Sequence, residues 1–187
     1  MALVNTLLVL AFCWLLVVDA SPKSKALDRH NELREKHGCP ALELDDELTR
    51  DCENYARELR SMGEIKPSRD AIREVYGENL CYRDEDPHKC VQDWYDEIKD
   101  YDFSKPGYDA KTAHFTALVW KKAKKMGFGQ AKDEKGGFYV VVRYLPRVNA
   151  YGEFKKNVPK PKDGNNSNLP QVDAILVILA FCLHFRI

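Results

Sequence analysis

Apolar positions along this 187-residue chain fall into three patterns. There is an unbroken run near each end, helical spacing through much of the middle, and two strand-like runs where the middle closes. Residues 24–37 set Ala26, Leu27, His30, Leu33 and Arg34 on one side of a helix, with Gly38 as its stop. Asp45 caps a second helix, whose apolar face is Leu48, Cys52, Tyr55, Ala56, Leu59 and Met62. Residues 74–82 read as an extended piece interrupted at Gly77, and Asp86-Pro87 opens a third helix that buries Val91, Trp94, Tyr95 and Ile98. Thr112 caps a fourth helix carrying Phe115, Leu118, Val119, Ala123 and Met126, closed by Gly127. Strands over 126–131 and 138–145 follow, joined by a turn at Gly136-Gly137. The order α, α, β, α, α, β, β, with helices enough for both faces of a sheet, predicts an α/β fold built as a three-layer α/β/α sandwich.

The ends carry a different message. Residues 7–18 are apolar without a polar residue at helical spacing, and Val18-Asp19-Ala20 precedes Ser21 with small residues at −3 and −1. That is a secretory signal peptide over residues 1–20, despite an amino-terminal stretch without Lys or Arg. At the other end residues 174–183 are apolar, too few for a span that needs about 20. Small polar residues around Gly164 and Asn165, a spacer, and a hydrophobic tail over 172–187 form the pattern of a glycosylphosphatidylinositol signal, attached at Gly164 or Asn165; a short tail anchor and a helix packed on the domain are the other readings. Asn165-Asn166-Ser167 is also an N-glycosylation sequon at Asn165. Between the ends lie a domain over 21–156 and a Lys/Pro-rich linker over 157–171.

Charge narrows the field only slightly. Lys and Arg number 29, as do Asp and Glu, so the net charge is zero and nothing points to nucleic acid. Of six cysteines, Cys13 and Cys182 fall in the two end segments. The remaining four allow three connectivities; the short-range pairs Cys39–Cys52 and Cys81–Cys90 are the expected ones. Zinc ligation by four thiols is disfavoured by the lack of any Cys-x-x-Cys spacing and by an oxidising compartment.

Five ordered motifs add a family. His30-Asn31-Glu32-Leu33-Arg34, Gly77-Glu78-Asn79-Leu80, Trp94-Tyr95-Asp96-Glu97-Ile98, the run from His114-Phe115-Thr116 to Trp120, and Tyr144-Leu145-Pro146-Arg147-Val148-Asn149 resemble the CAP superfamily of cysteine-rich secretory, antigen 5 and pathogenesis-related proteins. The resemblance runs from about residue 25 to 154 and is nearest to the Golgi-associated plant pathogenesis-related branch. It implies a CAP-type sandwich with a central cleft holding two His and two Glu, which bind a divalent metal in some members. Carried over by motif, the cleft residues are Glu78, Glu97 and His114. The first family His falls in Lys66-Pro67-Ser68, where Pro67 can neither ligate a metal nor move a proton. Ala113 and Val148 also replace usual family glycines.

Glu78, Glu97 and His114 could still hold zinc with water in the fourth position, as three-ligand catalytic sites do. The simpler expectation is a hydrogen-bonded structural network and no cofactor. No phosphate-cradling loop is present, since Gly77 and Gly107 are isolated, and spacing gives Ser68 and Ser104 no catalytic neighbour. The expected function is therefore a secreted or surface-anchored, non-enzymatic domain that binds a lipid, a sterol or an extracellular protein. A metal-dependent hydrolase using the residual Glu/Glu/His set is the alternative. Lys121, Lys122, Lys124 and Lys125 read as the last turn of the fourth helix, offsetting its dipole rather than contacting lipid headgroups.

Overall fold

The computed structural model describes residues 21–162. The expected signal peptide, hydrophobic tail, sequon at Asn165 and attachment site at Gly164 or Asn165 lie outside the described residues. Helix α1 spans Pro22–Lys36, with Ser21 accepting a bond from the Ser24 amide and proline in the first turn. A short strand β1, Glu43–Leu44, leads into α2, Asp46–Met62, where the Asp45 carboxylate accepts from the Leu48 amide at 3.0 Å. Gly63 ends α2 in the left-handed conformation, φ 70°, that a glycine adopts without steric cost. A single turn α3, Arg69–Ile72, precedes β2, Gly77–Arg83. Helix α4, Lys89–Asp96, continues as a 3₁₀ turn over Glu97–Asp100; α5, Ala113–Leu118, β3, Lys125–Lys132, β4, Phe138–Leu145, and α6, Phe154–Asn157, complete the chain.

The four strands form one sheet in the order β1-β3-β4-β2, antiparallel except for the β1–β3 pair. Alternation along β4 divides the core. Val140, Val142 and Tyr144 pack beneath α1, α4 and α5 with Leu33, Trp94, Phe115, Leu118 and Trp120. Tyr139 and Val141 face α2 with Cys52, Tyr55, Ala56 and Leu59. The α/β/α sandwich is thus present, and α2 lies on β3 at backbone distance. A Cβ on Gly127 or Gly129 would strike the main chain of Leu48 or Cys52.

Several expectations need correction. The fourth helix stops at Leu118 instead of running to Met126. The Arg34 guanidinium takes the carbonyls of Leu118, Trp120 and Ala123 at 2.8–3.0 Å. The amides of Lys121 and Lys124 go to Asn157 and Leu145, so no i→i−4 ladder can continue. The lysine cluster therefore occupies a turn and the start of β3. Thr112 precedes α5 but makes no side-chain cap bond. Helix α4 begins at Lys89, two residues after Pro87.

Cys81 and Cys90 are joined and tie β2 to α4, but Cys39 and Cys52 are separate, buried thiols. Cys39 donates to the Val119 carbonyl on the α1 side, whereas Cys52 packs under α2 beyond the sheet, where burial pushes its thiol up to about 12. The expected linker also starts too early. Asn157 and Val158 are buried, Pro159 accepts from His37 at 2.6 Å, and Lys162 donates to Lys36 at 2.7 Å.

Candidate functional site

Glu97 and His114 form one unit. Glu97 follows α4 directly, and its carboxylate reaches the first turn of α5. Oε2 accepts from the amides of His114 and Phe115, both at 3.0 Å, while Oε1 meets His114 Nδ1 at 2.7 Å. An acid from another helix thereby supplies the cap that Thr112 does not, with its charge at the favourable end of the helix. The imidazole stacks on Trp94 at 6.2 Å between centroids, and its Nε2 makes no hydrogen bond among the described residues.

Behind this unit runs a buried polar chain. His30 Nδ1 lies 2.7 Å from the Ala26 carbonyl, which can only accept, so Nδ1 carries the proton. Nε2 is then the acceptor for the Tyr144 hydroxyl at 2.9 Å. Asn79 donates to that hydroxyl at 3.2 Å and to the His114 carbonyl at 3.1 Å. Four elements, α1, β4, β2 and α5, are fixed by one line of bonds. Burial holds His30 neutral, lowering its pKa to about 4 in spite of the Ala26 bond, and raises that of Tyr144. Asn149, at positive φ 56°, closes the far side of α5 by donating to the Ala113 carbonyl and accepting from Thr116.

Glu78 turns to the other face of the sheet. Its neighbour across the ladder is Arg143, whose Nε donates to Glu78 Oε2 at 2.9 Å, with both side chains at most 5 % exposed. The guanidinium also lies over the rings of Tyr76 and Tyr55, at 4.4 and 5.1 Å. Glu78 Oε1 accepts the amide of Ser68, the residue after Pro67. The Ser68 hydroxyl bonds Tyr76 at 3.1 Å and caps α3, and Tyr55 donates to the Lys66 carbonyl at 2.7 Å. Between α2 and segment 66–76 opens a cleft of about 730 Å³, walled by Tyr55, Tyr76 and Arg143 and rimmed by Asp51, Glu58, Lys66, Arg69 and Asp70.

Of the three expected cleft residues, the structure therefore brings Glu97 and His114 together and leaves Glu78 with Arg143. They do not assemble as one ligand set. Among the described residues no three His, Cys, Asp or Glu side chains converge on a common point. Both oxygens of Glu78 already serve Arg143 and the Ser68 amide, so the residues present do not fit a three-ligand zinc site. Ser104 bonds Asp102 at the surface, and Ser68 lies on the Glu78 side, so neither hydroxyl is hydrogen-bonded to the imidazole of His114.

Sequence reasoning missed Arg34, Asn79, Arg143 and Tyr144 as working residues. A signal existed for Arg34. It shares the buried face of α1 with His30 and Leu33, and a charge in an apolar stripe requires buried partners. Arg143 showed similarly as the charge inside the otherwise apolar run 138–145.

Comparison with known proteins places these features. Residues 27–144 match the model of the cysteine-rich secretory protein family, CAP. The chain is 42% identical over 143 residues to Golgi-associated plant pathogenesis-related protein 1 of Homo sapiens, an alignment covering 74% of this chain and 93% of that one. It is 32% identical to secreted protein RBT4 of Candida albicans over 75% of its own length but only 39% of that longer protein. In three dimensions it is similar to venom allergen-like protein 4 of Schistosoma mansoni, with TM-score 0.60, 19% identity, and coverage of 76% and 97% of the two chains.

Proposed function

Because the chain belongs to the cysteine-rich secretory protein family, CAP, we propose that it is a non-enzymatic extracellular binding module, with the α2 cleft as its recognition site. One observation carries the reading. Both acids that the family motifs carry into the cleft are already committed to the protein's own frame, Glu97 to two helix amides and Glu78 to Arg143 and the Ser68 amide. The cleft beside Glu78 stays open, and its rim mixes Asp51, Glu58 and Asp70 with Lys66 and Arg69. Among a lipid, a sterol and a protein, a charged rim of both signs best fits a polypeptide segment, which offers matching charges and main-chain polar groups. The extracellular location draws support from relatives named as secreted proteins and from the signal-like run at residues 7–18.

The test uses the full chain on the surface of expressing cells, probed with a panel of purified extracellular domains and with sterol and phospholipid probes. Saturable binding of one domain, abolished by Glu58→Lys with Asp70→Lys, supports the reading. Sterol or phospholipid binding that ignores those reversals moves the ligand to the lipid class. Release of the protein by a phosphatidylinositol-specific phospholipase is the expected outcome if the tail directs lipid anchoring; retention favours a tail anchor.

A second reading rests on His114, whose Nδ1 is oriented by Glu97 while Nε2 is left open, the arrangement a base or ligand histidine needs. Hydrolysis of a model ester by the wild type, surviving a chelator and lost in His114→Ala, would favour a hydrolase with this imidazole as base; a zinc-dependent one is disfavoured because Glu78 stands apart with Arg143.

A further inference from the structure

Lysines that the sequence distributes over several stretches meet at one end of the fold. Lys121, Lys122 and Lys124 sit in the turn between α5 and β3, beyond the last residue of α5 rather than in its last turn. The Lys121 amide donates to the Asn157 carbonyl at 2.8 Å and the Lys122 amide to Asn157 Oδ1 at 3.2 Å. Those bonds set the turn against α6, which exposes Lys155 and Lys156. The chain then passes through Lys160 to Lys162, whose amide donates to the Lys36 carbonyl at 2.7 Å. Burial raises the Cys39 thiol pKa, and Lys121 and Lys162 both lie close enough to oppose that rise.

The acids at this end are outnumbered. Glu153 pairs with Lys122 at 2.5 Å and Asp45 with Lys125 at 2.9 Å, while Glu35, Glu43, Asp46 and Glu47 are exposed charges at its margin. Lys121, Lys124, Lys155, Lys156, Lys160 and Lys162 are exposed and form no ion pair among the described residues. In a chain of zero net charge this is a concentration of one sign, not a global excess.

We propose that this lysine-rich end is a docking surface for a linear sulfated polysaccharide. None of these lysines lines the α2 cleft, so they present spaced point charges on an open surface, which suits a repeating polyanion better than a single small anion. The inference rests on the extracellular location proposed above. Anionic lipid is concentrated in the cytoplasmic leaflet, so the multivalent anion met on the outer side is sulfated sugar.

Immobilised heparin is the probe, with the full chain solubilised in a mild non-ionic detergent and eluted by NaCl. The expected result is retention beyond physiological salt. Lys155→Gln with Lys156→Gln should elute at lower salt and reduce the slope of log affinity against log salt by about two, as polyelectrolyte contacts do. Lys132→Gln with Lys135→Gln removes the same charge at the opposite end of β3 and should change neither. Equal effects of the two pairs, or no retention by the wild type, overturn the proposal. Flotation with vesicles of phosphatidylcholine and phosphatidylserine, in the absence of heparin retention, overturns it in favour of a lipid headgroup. The readout uses purified protein, so the proposal can fail while the extracellular location stands, and the reverse.

Discussion

Each face of the sheet buries an arginine, and the two charges are settled differently. Arg34, on the buried face of α1, pairs with no acid among the described residues; its guanidinium is surrounded by the carbonyls of Pro40, Leu118, Trp120 and Ala123. Arg143, beneath α2, has Glu78 at 2.9 Å and two tyrosine rings. The first arrangement organises main chain. It stops α5, shapes the lysine-bearing turn and holds the loop after α1. The second neutralises a charge at the wall of an open cleft. The face that anchors the fold and the face that opens to solvent thus use the same side chain for different ends, and the family motifs mostly encode the former.

The largest effects should separate those two solutions. Glu78→Leu leaves Arg143 buried without its counter-charge and should cost about 4 kcal/mol in denaturant unfolding. Adding Arg143→Met should recover much of that, because the pair is then removed together. Arg34→Met should cost about 3 kcal/mol, since carbonyls lose a charged donor, and no acid substitution can rescue it. If removing an acid restores Arg34→Met, the contrast between the faces is wrong.

Local signals made much of this legible. The Asp45 cap, the Gly38 stop, the strand Phe138–Leu145 and its turn at Gly136-Gly137 all depend on residues close in sequence. What was missed depends on distance. Helix α5 ends where Arg34, 84 residues earlier, withdraws the Leu118 carbonyl. Its cap comes from Glu97, 17 residues away, because Thr112 is not placed to supply it. Cys39 and Cys52 looked like a short-range pair by spacing, but the sheet intervenes. The partner of Glu78 was likewise hidden, since Arg143 faces it only through the β2–β4 register.

A smaller effect distinguishes the anchoring face by pH. His30 is neutral in the fold, with its pKa near 4 because of burial, against 6.5 when exposed. As pH falls the unfolded chain takes up the proton first, so this stability is complete above about 6.5 and declines toward 4. By pH 5 the loss should reach about 2 kcal/mol, from one and a half pKa units. His37, also lowered by burial, acts in the same direction. The carboxyls of Asp45, Asp102, Asp133 and Glu153 are lowered too, so their protonation weakens the fold below the ordinary carboxylate range, beneath most of this window. Unfolding midpoints between pH 7 and 5 should fall for the wild type and flatten in His30→Gln. A variant as steep as the wild type would place the titration elsewhere.

The smallest expected effect concerns the pair most easily mistaken for machinery. Glu97→Gln keeps a carbonyl oxygen able to accept from the His114 and Phe115 amides but removes the charge at the start of α5 and beside the imidazole. If Glu97 serves as a cap, the loss should be about 1 kcal/mol, and cleft binding should be unchanged, because Glu97 lies on the face away from Arg143. Glu97→Ala removes the acceptor as well and should cost more, which separates the hydrogen bonds from the charge. A Glu97→Gln protein of unaltered stability that no longer binds its partner would show that the Glu97–His114 unit, and not the α2 cleft, meets the ligand.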